Sequence, residues 1–327
     1  MRPLLQLTVS VLAILFGPLA TAAPADILYH LVTGGEESYQ VEKAQSLSYL
    51  ALTRGLRPWV LARQTKLKVN TTLKPGTVIK IDATHIVPTE LSHGLVINLP
   101  ELLLYHFHHG AYQRRYALAV GKPTWQTPTG NYYVSNKAEN PVWTVPVSIQ
   151  EEMESLGREV VEKVPPGPNN PLGKFWIGTS AEGVGLHATN RPWSVGHYVS
   201  HGCMRMLPEE IAQLYPQVEV GTLIKIIYQP VKMAQTRQGR LYLEAHPDIY
   251  NRKINYLEYV RRLAQSYRVE DRLDWPKVEN ILKIKDGLAH DVTKDPPPTK
   301  SAAASPTPPK PRKLGLFPLH QQNTRIE

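Results

Sequence analysis

The stretch SHGCMRM at Ser200–Met206 contains Cys203, the one cysteine of the 327-residue chain. A single cysteine cannot close a disulfide within its own chain, so its presence needs another explanation. The thiol follows a glycine and has a histidine and an arginine within two residues. This setting is typical of an activated nucleophile, because a cysteine attacks as its thiolate and needs a base or a cation nearby.

Two histidines are candidates for the base that deprotonates Cys203. His187 ends a predicted strand over residues 184–187, and a loop over residues 190–198 would return the chain beside that strand. His201 is closer in sequence, but Gly202 indicates a turn, so strand alternation does not place His201 and Cys203 on one side. We therefore expect His187 to act as the general base and His201 to support the site locally.

The same stretch predicts how a substrate is held. Gly202 permits a tight turn in which backbone N–H groups near Cys203 face a developing oxyanion. Arg205 presents a fork of N–H donors that suits a carboxylate. The pattern therefore favours acyl transfer by a cysteine nucleophile.

Zinc binding is the alternative chemistry for this region, which contains four potential ligands: His187, His197, His201 and Cys203. Zinc bound to the thiolate would suppress its reactivity, and the histidine spacing matches no common metal motif. A second cluster, His106, His108 and His109, is expected at the solvent-exposed end of a strand. Neither cluster is favoured as a metal site.

Short and closely spaced strand patterns dominate the middle of the chain. They lie at residues 95–98, 102–107, 112–120, 132–134, 174–177, 184–187 and 223–228. This spacing favours an antiparallel meander and a mostly β sandwich or barrel, capped by helices. A Pro- and Trp-rich excursion over residues 140–168, with a predicted helix at 148–161, is equally compatible with a lid or cleft wall and with an insertion packed on the sheet.

A smaller unit precedes these strands, over residues 38–82. A short strand, two helical patterns and the alternating strand Val78–Ile81 follow one another there. This βααβ order resembles a LysM module, a fold that binds glycans containing N-acetylglucosamine. The Gly-Asp pair usual after the first strand of that module is replaced by Ala44-Gln45, so a purely structural spacer is an equally good interpretation.

Both ends of the chain have a distinct composition. Arg2, an apolar run over residues 4–16 and small residues before a cut after Ala22, or after Ala25, predict a signal peptide; an uncleaved anchor is less favoured. Beyond the strands, residues 231–290 are predicted to be a helical extension, with helices at 257–264 and 278–284. Residues 291–327 are Pro-rich and predicted to be disordered.

The formal net charge of +9 favours anionic surroundings such as cell-wall polymers. Much of the excess Lys and Arg lies in the tail, where charge also keeps a chain solvated. No zinc-finger spacing and no RNA-binding aromatic pattern is found, so nucleic acid is not an expected partner.

Several blocks in one order match a known family. They are GLVIN at 94–98, TPTG at 127–130, PPGPNNPLG at 165–173, LHATN at 186–190 and SHGCMRM at 200–206. Together they resemble the YkuD-type L,D-transpeptidases, and most closely the periplasmic ErfK/YbiS/YcfS/YnhG group of Gram-negative bacteria. Ala188 departs from the family, which more often has glycine after the first histidine.

The resemblance implies a catalytic domain over residues 94–230 in a periplasmic protein. It implies that Cys203 is the nucleophile and His187 the proton donor and acceptor. It also implies that the oxyanion and substrate carboxylate are bound by four further residues: Ser200, His201, Gly202 and Arg205. Neither a cofactor nor a metal is needed for this chemistry.

The implied reaction takes place on peptidoglycan tetrapeptide stems. The thiolate would displace D-alanine to form a thioester, and an amine would then resolve it. A diaminopimelate amine would form a 3→3 cross-link, whereas a lysine of a Braun-type outer-membrane lipoprotein would anchor that protein to the wall. The alternative is a hydrolase of the same fold, an L,D-carboxypeptidase or lipoprotein-detaching amidase, in which water is the acceptor. A non-catalytic wall-binding protein is disfavoured, because a pure binder needs no nucleophile.

Overall fold

The computed structural model describes residues 27–294. The predicted signal peptide, whether cut after residue 22 or 25, and the tail beyond residue 294 lie outside the described residues. The helices are α1 (Leu47–Thr53), α2 (Pro58–Thr65), α3 (Val147–Ser155), α4 (Pro208–Leu214), α5 (Tyr256–Ser266) and α6 (Trp275–Ile284). No helix within this range combines the length and the hydropathy needed to cross a bilayer.

The strands are short, and most of them lie between residues 94 and 245. In chain order they are β1 (Leu28–Tyr29), β2 (Val32–Thr33), β3 (Glu36–Gln40), β4 (Gln45–Ser46), β5 (Thr72–Leu73), β6 (Val78–Asp82), β7 (His85–Ile86), β8 (Gly94–Asn98), β9 (Leu103–His108), β10 (Ala111–Gly121), β11 (Gly130–Glu139), β12 (Trp143–Thr144), β13 (Lys163–Val164), β14 (Phe175–Thr179), β15 (Gly185–His187), β16 (Tyr198–Ser200), β17 (Met204–Met206), β18 (Leu223–Ile227), β19 (Val231–Gln235), β20 (Leu241–Ala245) and β21 (His290–Asp291).

Eight of these strands close into a barrel. They pair in the order β10-β17-β15-β14-β11-β18-β8-β9, and β9 pairs back onto β10, while β16 adds to the end of β10. The predicted mostly β barrel or sandwich is therefore confirmed. The predicted meander holds for β8, β9 and β10, but the β15–β17, β18–β8 and β10–β16 pairs are parallel. Local patterns do not predict these pairs, because each joins segments separated by other strands.

The barrel is apolar inside and covered on part of its outside. Leu95 and Ile97 point into the main core, where Leu118, Leu186 and Met204 also lie. The alternate residue of β8, Val96, packs in a second cluster that contains Leu52 of α1 and Val195 of the loop before β16. Because both faces of β8 are covered, every residue of this strand is buried.

Residues 36–82 form a small unit of two helices and paired strands. β3 pairs antiparallel with β6, and α1 and α2 lie between them in sequence. Ser46 caps α1 by accepting a hydrogen bond from the Tyr49 backbone, and Pro58 opens α2, where it needs no hydrogen-bond partner. The interpretation of this unit as a LysM module stays a prediction.

The region after the barrel differs from the predicted helical extension over residues 231–290. It contains α5 and α6, but also β19 and β20, which form a sheet with β1 and β21. β1 pairs parallel with β19, so the N-terminal and C-terminal parts of the described chain share this sheet. The predicted disordered tail also starts too early, because Asp291 pairs with Tyr242 and Thr293 bridges to Leu273. Two-residue strands carry no periodicity of their own, and only their distant partners make them strands.

A fully buried ion network holds this sheet against the barrel. The ammonium group of Lys232 lies 2.8 Å from a carboxylate oxygen of Glu101 and 2.9 Å from one of Glu244. It also donates a hydrogen bond to the Ile86 carbonyl, while Glu244 accepts hydrogen bonds from the Ile86 backbone and the His246 ring. Burial alone would raise the pKa of Glu244, but Lys232 and His246 outweigh it and lower that pKa.

Replacing Lys232 with methionine is expected to destabilise the protein by about 3–5 kcal/mol, because two buried carboxylates lose their counter-charge. Urea unfolding followed by tryptophan fluorescence measures the change. Lys80→Met is the matched control, since Lys80 is exposed on β6; a change within about 0.5 kcal/mol is expected there. Equal losses in both variants would contradict the role given to the network.

Candidate active site

The motif residues meet where β15 and β17 run side by side. These strands are parallel, with Leu186 paired to Met204 and His187 paired to Arg205. Cys203 directly precedes β17, so the pairing brings the thiol, the imidazole and the guanidinium to one edge of the barrel. All three side chains line the same cleft, which has a volume of about 660 Å³.

Side-chain hydrogen bonds define the turn that presents Cys203. The Ser200 hydroxyl donates to the Cys203 carbonyl and accepts from the Gly202 N–H at 3.3 Å. The Thr127 hydroxyl donates to the Gly202 carbonyl at 2.8 Å and accepts from Gly121. Gly202 has a φ of 110°, a conformation that residues with a Cβ rarely adopt. Ser200 and Gly202 therefore shape the backbone next to the thiol.

His187 is buried and oriented by its neighbours. Its Nδ1 lies 2.6 Å from the Ala188 carbonyl oxygen, and the ring stacks on Trp176 with centroids 6.0 Å apart. Because a carbonyl only accepts, Nδ1 carries the proton and the basic lone pair is on Nε2. Burial lowers the pKa of His187 to about 4, with a smaller lowering by Arg205 that the Ala188 hydrogen bond opposes.

The surroundings of Cys203 disfavour its thiolate form. Burial raises its pKa, although a backbone hydrogen bond from Gly185 and the charge of Arg205 act in the opposite direction. The thiol donates to the Gly183 carbonyl at 3.3 Å. The raised thiol pKa and the lowered imidazole pKa favour a neutral Cys203 and a neutral His187 over a thiolate and an imidazolium.

Two arginines give the cleft its positive charge. Arg191 and Arg205 both line it. Burial lowers the pKa of Arg205, and the nearby charge of Arg191 lowers it further. Within residues 27–294 neither guanidinium forms an ion pair. Glu182 also lines the cleft, but it forms no ion pair with either guanidinium in the described chain, so both arginines can bind a substrate carboxylate.

Helix α3 forms a wall of the cleft. Ile149 and Met153, one turn apart, line it. Glu152 points to the barrel, where it lies 2.6 Å from His201 Nε2 and 2.9 Å from Lys122 Nζ. Hydrogen bonds from Lys122 and then from His201 lower the pKa of Glu152. The helix has no buried residue, so this ion pair is a principal attachment to the barrel.

The structure distinguishes among the residues proposed from sequence. The cleft brings together all six of them: His187, Ser200, His201, Gly202, Cys203 and Arg205. His201 also joins α3 to the barrel through Glu152, and its expected supporting role at the thiol stays a prediction. His197 is not a lining residue, and its Nδ1 lies 3.3 Å from the Val195 carbonyl.

In the described part of the chain, only Glu101, Glu244 and His246 have ligand atoms grouped closely enough for a metal ion, and Lys232 already contacts both of those carboxylates.

Three residues of the site were missed by sequence reasoning: Lys122, Glu152 and Arg191. Arg191 follows the LHATN block directly, so its position was a usable signal. Glu152 and Lys122 had no such signal, because the contacts among Glu152, Lys122 and His201 join segments 30 to 79 residues apart.

Glu152→Gln is expected to loosen α3, because a neutral amide holds Lys122 and His201 more weakly than a carboxylate does. Hydrogen exchange of the backbone amides in α3 should become roughly two- to five-fold faster, as expected for losing a partly exposed ion pair. Glu151→Gln is the matched control, since Glu151 is exposed and forms no ion pair in the described chain. Unchanged exchange in Glu152→Gln would show that other contacts hold the helix.

The thiol pKa predicts a pH dependence of alkylation. Because the folded-state pKa is raised, the thiolate fraction stays low at pH 7 and increases about tenfold per pH unit until the pKa is reached. The midpoint of iodoacetamide labelling should therefore lie above the value of about 8.5 for a free cysteine. Labelling reports on Cys203 alone, as the chain has one cysteine. A midpoint below 7 would instead show a thiolate–imidazolium pair.

Known proteins resemble both the barrel and the longer chain. Residues 92–227 match the L,D-transpeptidase catalytic domain family, YkuD. The "Probable L,D-transpeptidase YcfS" of Escherichia coli K12 is 29% identical over 81% of this chain and 83% of its own length. The "Probable L,D-transpeptidase YbiS" of the same strain is 33% identical over 53% of this chain and 57% of its own length.

A third protein with an L,D-transpeptidase name is also similar to the chain. The "Probable L,D-transpeptidase ErfK/SrfK" of Salmonella typhimurium LT2 is 26% identical over 67% of this chain and 73% of its own length. The family match covers the barrel and its cleft, and the relatives carry one enzyme name throughout. On these findings residues 92–227 form a YkuD-type L,D-transpeptidase catalytic domain, and the longer chain is similar to YcfS, YbiS and ErfK.

Proposed function

We propose that the chain is a cysteine L,D-transpeptidase acting on peptidoglycan tetrapeptide stems in the periplasm. The observation that supports this most strongly is the joint placement of Cys203, His187 and Arg205 along the paired strands β15 and β17, with Arg191 beside them in one cleft. Thiol, base and carboxylate-binding groups are the set that acyl transfer from a stem peptide requires.

The first half-reaction releases D-alanine. His187 Nε2 takes the thiol proton of Cys203, and Sγ attacks the carbonyl carbon between the L-centre of diaminopimelate and D-alanine. Backbone N–H groups of the 200–203 turn stabilise the oxyanion. The C–N bond then breaks, His187 returns the proton to the departing D-alanine amine, and a thioester remains on Cys203.

Arg191 and Arg205 orient the donor stem in this proposal. Their two charges suit a stem carboxylate, which places the scissile carbonyl next to the thiol. They also favour the thiolate while it forms, since nearby cations lower a thiol pKa. Because the thiol of Cys203 and the imidazole of His187 are both neutral before the reaction in this proposal, the thiolate forms only during the reaction.

The second half-reaction transfers the stem to an amine. The amine attacks the thioester carbonyl and gives a proton to His187, and the thiolate leaves and is reprotonated. A diaminopimelate amine yields a 3→3 cross-link, and a lysine of an outer-membrane lipoprotein yields a protein–wall bond. Helix α3 walls one side of the cleft. Limited entry of water favours a bound amine over water as the acceptor of the acyl group.

Residues 36–82 are proposed to position the enzyme on glycan. Trp59 of α2 is 40% exposed, and the Arg63 guanidinium lies 5.2 Å from its ring centroid. An exposed aromatic ring beside hydrogen-bond donors is a common platform for a sugar face. This role is separate from the chemistry at Cys203.

The test is incubation of the mature protein with tetrapeptide muropeptides, with and without a lipoprotein C-terminal peptide, and product identification by mass spectrometry. Cysteine-dependent 3→3 dimers or peptide–stem conjugates are expected, and Cys203→Ala should form neither. Tripeptide stems without either product would show that water is the acceptor. No product from the unaltered protein would overturn the proposal.

His187→Ala, compared with a control variant, tests whether His187 is the general base. Acylation should slow by roughly 10²- to 10⁴-fold, the usual contribution of a general base. His197→Ala is the matched control, because His197 lies in the same region but does not line the cleft. Equal acylation rates in the two variants would remove His187 from the mechanism.

A further inference from the structure

Four histidines lie together at the end of the barrel away from the cleft. His93 directly precedes β8, His106 and His108 are in β9, and His109 is in the turn to β10. The rings of His108 and His109 have centroids 4.0 Å apart, those of His93 and His108 are 5.0 Å apart, and those of His93 and His109 are 6.2 Å apart. The proposed reaction uses none of these side chains.

The backbone that carries these rings is well defined. His109 and Gly110 have φ values of 49° and 78°, as in the tight two-residue hairpin turn that joins β9 to β10. The Gly110 N–H donates to the Ser92 carbonyl at 2.8 Å, which holds the turn against the residue before His93. In the β8–β9 register Gly94 pairs with Phe107, so His93 and His108 are the next cross-strand neighbours.

The ring separations lie close to those of a metal centre with three histidines, and ring rotation would be needed to form one. Imidazole nitrogens bound tetrahedrally to one Zn²⁺ at about 2.0–2.1 Å place the ring centroids roughly 5 Å apart. The three observed separations fall on both sides of that value. The ring nitrogens of these three histidines do not all lie within 4.8 Å of one another. His93, His108 and His109 are all exposed, so rotation of the rings meets little resistance.

We propose that His93, His108 and His109 bind one divalent late transition-metal ion, such as Zn²⁺ or Cu²⁺, through ring nitrogens. Imidazole ligands suit these metals and do not suit Mg²⁺ or Ca²⁺. The fourth position is open to solvent.

His106 gives independent support for a ligand at this place. It is 2% exposed, and its Nδ1 has no hydrogen-bond partner, although buried polar atoms are normally paired. Its ring centroid lies 6.3 Å from that of His108.

The proposed centre is remote from the thiol. β10 has 11 residues at about 3.4 Å each, so roughly 35 Å separate the turn from the Gly121 end beside the cleft. A metal ion bound at the turn therefore contacts neither Cys203 nor His187. Its direct effect is to cross-link β8, β9 and the turn, which stabilises the folded barrel by mass action.

The test uses the full mature chain carrying Cys203→Ala, so that the thiol is not an alternative ligand. Zn²⁺ affinity is measured by competition with a chromophoric chelator, and Cu²⁺ coordination by the nitrogen hyperfine pattern in electron paramagnetic resonance. One equivalent of Zn²⁺ and a pattern from several imidazoles are expected. His108→Gln should weaken Zn²⁺ binding by at least about tenfold, since loss of even an outer-shell partner costs 10- to 100-fold.

His30→Gln is the matched control, because His30 is an exposed histidine that contacts the Gln235 carbonyl away from this cluster. It should bind Zn²⁺ as the parent does. Circular dichroism verifies that each variant is folded. Failure of the parent to bind Zn²⁺, or equal affinity in His108→Gln and His30→Gln, would overturn the proposal. Because the thiol is absent throughout, this result is independent of the proposed transpeptidation.

Discussion

The arrangement of the described chain depends on a single buried cation. Lys232 lies between Glu101 of the barrel and Glu244 of the C-terminal sheet, and all three side chains are fully buried. A charge in such surroundings is tolerated only with close partners, so a shift of either element would leave a charge unpaired. The Ile86 carbonyl and N–H, bound to Lys232 and Glu244, join the connecting segment to the same network.

The cleft follows from a different constraint, the parallel pairing of β15 with β17. This register places His187 beside Arg205 and puts Cys203 at the start of the second strand. Burial then acts on the two titrating groups in opposite directions, raising the pKa of Cys203 and lowering that of His187. Positive charge at the cleft comes from Arg191 and Arg205, which suits the carboxylate of the proposed substrate.

Prediction of the fold succeeded where the pattern is local. The strands of the barrel and α4, α5 and α6 have clear periodicity or a proline at the start. It was wrong for β19 and β20, which were predicted to be part of a helical extension although they form a local antiparallel hairpin. It also did not include the pairing of β19 with β1, which no pattern near either strand reveals. The α3 helix is shorter than predicted because Gly157, with a φ of 64°, follows its end.

The sequence by itself determined the YkuD-type catalytic domain, the barrel class and the motif around Cys203, since these depend on neighbouring residues and on blocks in a set order. Only the tertiary structure decided that His201 binds Glu152, that Arg191 joins Arg205, and that His93 meets His108 and His109. Each of these contacts joins residues from separate segments. Such distances are set by strand register and packing, which no local pattern encodes.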